Sequence, residues 1–198
     1  MAGLLPHETG RCIAPAAMDA ALPRPDRCIV LVGLMGVGKS SVGRRLARRL
    51  GMPFVDSDEA VEEAADRKVA EIFEDYGESA FRDVERRVIA RLVGGEPKVI
   101  ATGGGAFVDA ETRALVLARC IAIWLDADIA TLAERVARRG HRPLLRNHDP
   151  RQVLAELAAV RNPAYAEAHL RVESRASPHE RTVEAVLEAL RQRDAASG

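Results

Sequence analysis

From Arg27 onward, short uninterrupted apolar runs alternate with longer stretches in which apolar positions return every three or four residues. Strands buried on both faces carry no polar positions, whereas a helix lying on a sheet shows one apolar stripe, so the alternation predicts β-α units around a parallel sheet. Cys28 to Val32 predicts a first strand, Phe54 to Val55 a short second, Val99 to Ala101 a third, Ile121 to Leu125 a fourth and Leu170 to Val172 a fifth. Helices are clearest over Lys39 to Leu50, stopped by Gly51; Glu78 to Val93, stopped by Gly94 and Gly95; Ile129 to Arg139, stopped by Gly140; and Arg151 to Arg161. A last helix over Pro178 to Arg193 opens on a proline, which suits a first helical turn. The fold class is therefore α/β, and no internal repeat interrupts it.

With 198 residues and 47% apolar content, the chain has material for one domain and one core. Lysine plus arginine balance aspartate plus glutamate at 29 each, which argues against nucleic acid or a membrane surface as the main partner. Any anion binding must come from local clusters. Cys12, Cys28 and Cys120 are odd in number and scattered, without the paired spacing of a zinc site or a disulfide framework, and are read as reduced thiols of a cytoplasmic protein. No apolar run approaches the roughly 20 residues that span a bilayer. Residues 1–26, with four prolines and no sustained period, are expected to form a flexible tail ahead of a domain at 27–195.

The first chemistry lies between the first strand and first helix. Gly33-Leu34-Met35-Gly36-Val37-Gly38-Lys39-Ser40 fits the phosphate-binding loop G-x-x-x-x-G-K-[ST] in the context that motif requires. Its glycines let successive N–H groups point at phosphate oxygens, and the following helix presents its positive end to the same charge. Lys39 would reach the β- and γ-phosphates, Ser40 would ligate magnesium, and Ser41 would meet an α-phosphate. No N-K-x-D run for reading guanine is evident.

Asp56 and Asp58 follow the second strand two residues apart, so an extended chain turns both to one side, at the strand ends where ligands of such sheets gather. Asp58 is assigned to the acceptor hydroxyl, and Asp56 to a water of the magnesium shell. The alternative is that Asp56, Ser57 and Asp58 simply cap a helix beginning near Glu59. Thr102-Gly103-Gly104-Gly105 after the third strand exposes backbone N–H groups to a ligand, or else is a flexible turn. Arg82 either grips an acceptor or pairs with Glu78 one turn earlier. Around Gly140-His141-Arg142-Pro143-Leu144-Leu145, Pro143 forces Arg142 out of helical backbone, and this basic segment, about 138–150, reads as a mobile lid. Arg138, Arg139 and Arg146 are arginines of the lid or of a solvated face. Arg161, ahead of Asn162 and a Pro163 expected to end its helix, has the planar fork that suits a carboxylate. His141, His148 and His169 are too scattered for a metal set and read as surface or lid residues, and Trp124 as core.

In this order and spacing, the phosphate loop, Asp-x-Asp, Phe81-Arg82, Gly103 to Gly105, Arg142-Pro143-Leu144-Leu145 and Arg161 through Tyr165 resemble the shikimate kinase family, over about Arg27 to Arg193. The resemblance implies a P-loop kinase fold of the nucleoside monophosphate kinase type, a five-stranded parallel sheet in the order 2-3-1-4-5 flanked by helices. It implies transfer of the ATP γ-phosphoryl group to the 3-hydroxyl of shikimate, with Mg2+, in a monomeric cytoplasmic enzyme. Residue by residue, it puts shikimate on Asp58, Arg82, Gly103, Gly104, Gly105 and Arg161. Nucleotide falls on Gly36, Val37, Gly38, Lys39, Ser40 and Ser41, the lid contact on Arg142, and adenine stacking on Arg139. Catalysis falls on Asp58 as base, with Lys39 and Arg142. Ser41 stands where threonine is usual, and the tail before Arg27 has no counterpart in short family members. A gluconokinase-like enzyme shares the phosphate loop and the acidic residue but is not expected to carry both the triple glycine and the R-P-L-L run; a catalytically silent nucleotide-binding module would be expected to lack Lys39 or Asp58.

Overall fold

The structure is a computed structural model that describes residues 25–138, 149–175 and 178–197. Strand β1 (Ile29–Val32) has no polar position and no exposed one, so it needs cover on both faces and a strand on each side. It has all of these. Strands β2 (Phe54–Asp56), β3 (Val99–Ala101), β4 (Ile121–Asp126) and β5 (Leu170–Glu173) complete a parallel sheet in the order β2-β3-β1-β4-β5. Ile29 pairs with Val99 on one side and Ile121 on the other, and Phe54 and Val99 extend the ladder outward. This is the order the resemblance implied.

Among the described residues seven helices cover the sheet: α1 (Lys39–Leu50), α2 (Ser57–Ala65), α3 (Val69–Val93), α4 (Ala110–Arg119), α5 (Ile129–Ala137), α6 (Pro150–Tyr165) and α7 (His179–Ser197). Val42 and Leu46 of α1 and Val183, Val186, Leu187 and Leu190 of α7 join the main core. Each such fully buried side chain contributes roughly 1.5–3 kcal/mol. Ion pairs between the same two helices, Arg45–Glu180 at 2.8 Å and Arg49–Glu184 at 2.5 Å, are largely solvated and add little. Trp124 is core, as expected. His169 is exposed, as expected of a surface histidine, but its Nδ1 accepts from the Ala122 N–H where β5 has not yet begun.

Three local expectations need correction. The helix foreseen from Glu78 reaches back to Val69 across a break at Gly77, whose φ of 78° and ψ of 175° lie in a region only glycine occupies freely. A second small core of Ala60, Val61, Ile72, Phe81 and Val88 supports this earlier turn. The helix expected to end at Arg161 runs through Pro163 to Tyr165. A proline so near the helix end disturbs few bonds, and buried Tyr165 anchors the last turn, so tertiary contacts override the local preference. The α5 helix ends at Ala137 with Arg138 as its cap, short of the expected Arg139. Arg139 itself, most of the lid segment and most of the tail lie outside the described residues.

In this strand order the chain leaves β1 toward one edge and β3 toward the other. The carboxyl ends of these two neighbours therefore form the crevice where doubly wound sheets bind ligands.

Candidate active site

The loop after β1 turns through Gly36 and Gly38, at φ of 83° and 100°. The Lys39 ammonium donates to the Gly33 and Leu34 carbonyls at 2.7 and 3.1 Å, across the mouth of the loop. Behind the loop, buried Ser174 donates to the Val37 carbonyl at 3.0 Å, and Arg135 donates to the same carbonyl at 3.3 Å and to Ser174 at 3.1 Å. Neither residue was singled out from sequence. Both come from distant elements, and only the fold brings them to the loop.

At the end of β2 the alternative of a helix cap and that of a site prove compatible. Asp56 caps α2, accepting from the Asp58 N–H at 3.1 Å through Oδ1, while its Oδ2 accepts from the Ser40 hydroxyl at 2.6 Å. A carboxylate and a hydroxyl, both hard oxygen donors, are thereby joined beside the phosphate loop. The cleft is lined by Met35, Gly36, Gly38, Lys39, Ser40, Asp56, Asp58 and Thr102, so the two carboxylates and the lysine face one space.

The glycine run is fixed at several points rather than left flexible. Thr102 donates through its hydroxyl to the Leu31 carbonyl at 3.0 Å, the Gly103 N–H donates to buried Ser57 Oγ at 3.0 Å, and the Tyr165 hydroxyl donates to the Gly104 carbonyl. Burial pushes the Tyr165 phenol up, although Arg161 beside it pulls the other way, so the phenol stays a donor.

Each glycine of the run makes room for a different side chain. A β-carbon at Gly103 would stand 2.6 Å from Asp58 Oδ1 and 2.9 Å from Glu85 Oε1. One at Gly104 would stand 3.1 Å from Arg161 Nη1, and one at Gly105 would fall on the Arg82 guanidinium, 2.7 Å from Cζ and Nη1. Asp58, Arg161 and Arg82 therefore converge on one short stretch of backbone, next to the phosphate loop. Ser41 is half-buried in the first turn of α1. Arg139, Arg142 and Arg146 fall outside the described residues.

Glu85 is a further residue that the sequence did not single out. It is 2% exposed, its Oε2 accepts from Arg82 Nη1 at 2.6 Å, and its Oε1 has no hydrogen-bond partner among the described residues. Burial pushes its carboxyl up, Arg82 pulls it down, and Asp58 adds to the upward push. Burial also disfavours the charge on Arg82, but Glu85 and Glu78 outweigh it and hold the guanidinium charged. The signal was present: Phe81, Glu85, Val88 and Ile89 share the buried helical register, and one position in that apolar stripe is an acid.

A parallel sheet ordered 2-3-1-4-5, a phosphate loop on its central strand and paired acidic and guanidinium groups across the crevice define a P-loop kinase for a small acceptor. The family model for shikimate kinase matches residues 35–191. A shikimate kinase of Caulobacter vibrioides is 60% identical over 174 residues, 88% of this chain and 87% of the relative. Among solved structures, shikimate kinase from Acinetobacter baumannii in complex with shikimate is 36% identical with a TM-score of 0.80, covering 84% of this chain and 94% of that one. A gluconokinase from Sinorhizobium meliloti, at 20% identity, TM-score 0.62 and coverage of 86% and 94%, shares the fold alone. The chain belongs to the shikimate kinase family, an ATP-dependent kinase family.

Proposed function

We propose that this chain transfers the γ-phosphoryl group of ATP to the 3-hydroxyl of shikimate, giving shikimate 3-phosphate and ADP on the route to aromatic amino acids. The observation that carries the proposal is the convergence of Asp58, Arg161 and Arg82 on Gly103 to Gly105, beside Lys39 and Ser40. Two arginines and a glycine N–H suit the acceptor carboxylate, and a carboxylate nearer the phosphate loop suits its hydroxyl.

In the reaction, Asp58 takes the proton of the 3-hydroxyl as the oxygen–phosphorus bond forms, and the bond from the γ-phosphorus to the bridging oxygen breaks, leaving ADP. Gly36 to Ser41 cradle the phosphates, and Lys39 balances charge on the β- and γ-phosphoryl oxygens. The joined Ser40 hydroxyl and Asp56 carboxylate are donors of the kind Mg2+ prefers. The Ser40 hydroxyl and the Asp56 carboxylate lie 2.6 Å apart, close enough for both to reach the shell of one ion. Ser40 would hold it directly and Asp56 through water. When bound, the ion neutralises phosphoryl charge.

Arg142 and Arg139, which lie outside the described residues, are assigned by resemblance to the nucleotide phosphates and adenine, within a kinase domain taken as 27–195. The reading further takes the enzyme as a cytoplasmic monomer without nucleic-acid or membrane partners; no described helix is long and apolar enough to cross a membrane.

A coupled ADP-release assay run with shikimate and with gluconate tests the proposal. Turnover should depend on shikimate, and equal turnover without it, or preference for gluconate, would overturn the reading.

A further inference from the structure

Arg82 offers two edges on which a carboxylate could form a pair of parallel hydrogen bonds, and carboxylates of its own helix hold Nη1 on one side and both donors of the Nε–Nη2 edge on the other. On the Nη1 side stands Glu85, buried, at 2.6 Å. On the Nε–Nη2 side stands Glu78, whose single oxygen Oε1 accepts from Nε at 3.3 Å and from Nη2 at 3.1 Å. An acceptor carboxylate that takes two parallel donors on the Nε–Nη2 edge therefore takes the place of Glu78.

The two differ in what their release costs. Glu85 is 2% exposed, and separating it from Arg82 would strand a buried charge. The Glu78 side chain is 69% exposed and bonds at longer range, one helical turn before Arg82, and water replaces such a contact easily. The break at Gly77 places Glu78 at the start of a separate helical segment, with its side chain largely in solvent.

We infer that Glu78 is a resident stand-in for the acceptor carboxylate: it occupies the Nε–Nη2 edge of Arg82 and yields it when the acceptor binds, so acceptor binding at Arg82 is an exchange of one carboxylate for another. The exchange makes Glu78 a determinant of acceptor affinity. A neutral ligand that cannot displace Glu78 gains nothing at this edge, and an anionic one gains only the difference between the two bonds. The inference rests on the proposed role of Arg82 toward the acceptor carboxylate.

The test measures KM for shikimate and KM for ATP in the full chain with Glu78→Gln, Arg82→Lys and the double variant. Exposed Glu74, on the same helix but outside this pair, supplies a charge-matched control as Glu74→Gln. Exchange predicts that Glu78→Gln lowers the shikimate KM about two- to threefold, the factor expected for an exposed helical ion pair. The ATP KM and the Glu74→Gln variant serve as references that do not move. In the Arg82→Lys background, where the fork is gone, the Glu78→Gln gain should disappear. A gain that persists there, or is matched by Glu74→Gln, is a general charge effect and overturns the exchange. A shikimate KM that rises or stays put in Glu78→Gln also overturns it. If Arg82→Lys itself leaves the shikimate KM unchanged, the role of Arg82 fails, and the exchange with it.

Discussion

Gly105→Ala tests the site geometry most directly, because one methyl group is aimed at one side chain. Gly105 has no left-handed φ, so alanine meets no backbone strain there. Its β-carbon would instead occupy the position of the Arg82 guanidinium, 2.7 Å from Cζ and Nη1 where at least 3.4 Å is comfortable. The guanidinium is the far end of a flexible side chain and can move aside, but its departure leaves buried Glu85 without its partner and lowers stability as well. It cannot both move and keep its bond to Glu85 and its place over the glycine run. A charge-assisted hydrogen bond is worth about 1.5–3 kcal/mol, and each 1.36 kcal/mol is tenfold, so losing one bond to the acceptor raises its KM roughly ten- to a hundredfold. Gly104→Ala, whose β-carbon would stand 3.1 Å from Arg161 Nη1, should have a milder effect of the same kind. Steady-state kinetics with shikimate varied at saturating ATP, beside a thermal melt, make the measurement. A Gly105→Ala enzyme that melts with the parent and keeps its shikimate KM within twofold would refute the placement of Arg82. A lowered melt is expected beside the raised KM, because the displaced guanidinium leaves buried Glu85 unpaired, and a lowered melt with an unchanged shikimate KM would refute the role of Arg82 at the acceptor.

Further outcomes follow from the same geometry. Asp58→Asn should reduce kcat by roughly a hundredfold or more while ATP affinity, read by calorimetry, stays near that of the parent, since general-base groups contribute about 10²–10⁴; near-native turnover would remove the base assignment. Ser57→Ala leaves the Gly103 N–H without its acceptor and should lower stability by about 1–3 kcal/mol, a shift of several degrees in a melt. Because burial raises the Glu85 carboxyl, the unfolded chain loses that proton first as pH rises. Stability from this group is therefore fully present below the ordinary glutamate value and declines as pH climbs to the raised folded value. The melting temperature of Glu85→Gln plotted against pH should lack this decline, and parallel curves for parent and variant would contradict it. At the low end of the same window, protonated Glu85 no longer anchors Arg82, so the shikimate KM of the parent should rise there.

Alternation of apolar runs with helical stripes settled the class of fold, and the five predicted strands all lie where the sheet has strands: β1, β3 and most of β4 are buried on both faces and have no polar residue to spare, while the edge strands β2 and β5 keep short apolar cores beside Asp56, Arg171 and Glu173. The phosphate loop was equally legible, since its chemistry is carried by a contiguous segment whose backbone curls on its own glycines. The order of strands was not: periodicity reports which residues face a sheet but not which strand lies beside which, and only the resemblance supplied 2-3-1-4-5. The candidate site behaved likewise. Asp58, Arg82 and Arg161 could be picked out by residue type, but their convergence on Gly103 to Gly105 is set by crossovers that bring residues 58, 82, 104 and 161 to one crevice. Glu85 escaped notice because an acid in an apolar stripe has meaning only once Arg82 is seen turned toward it. Pro163 misled because local preference is worth a few kcal/mol at most, and the buried Tyr165 hydroxyl held by the Gly104 carbonyl keeps the helix going past it. Contiguous chemistry and periodic burial are written in the chain, while contacts between distant segments exist only once the sheet has closed.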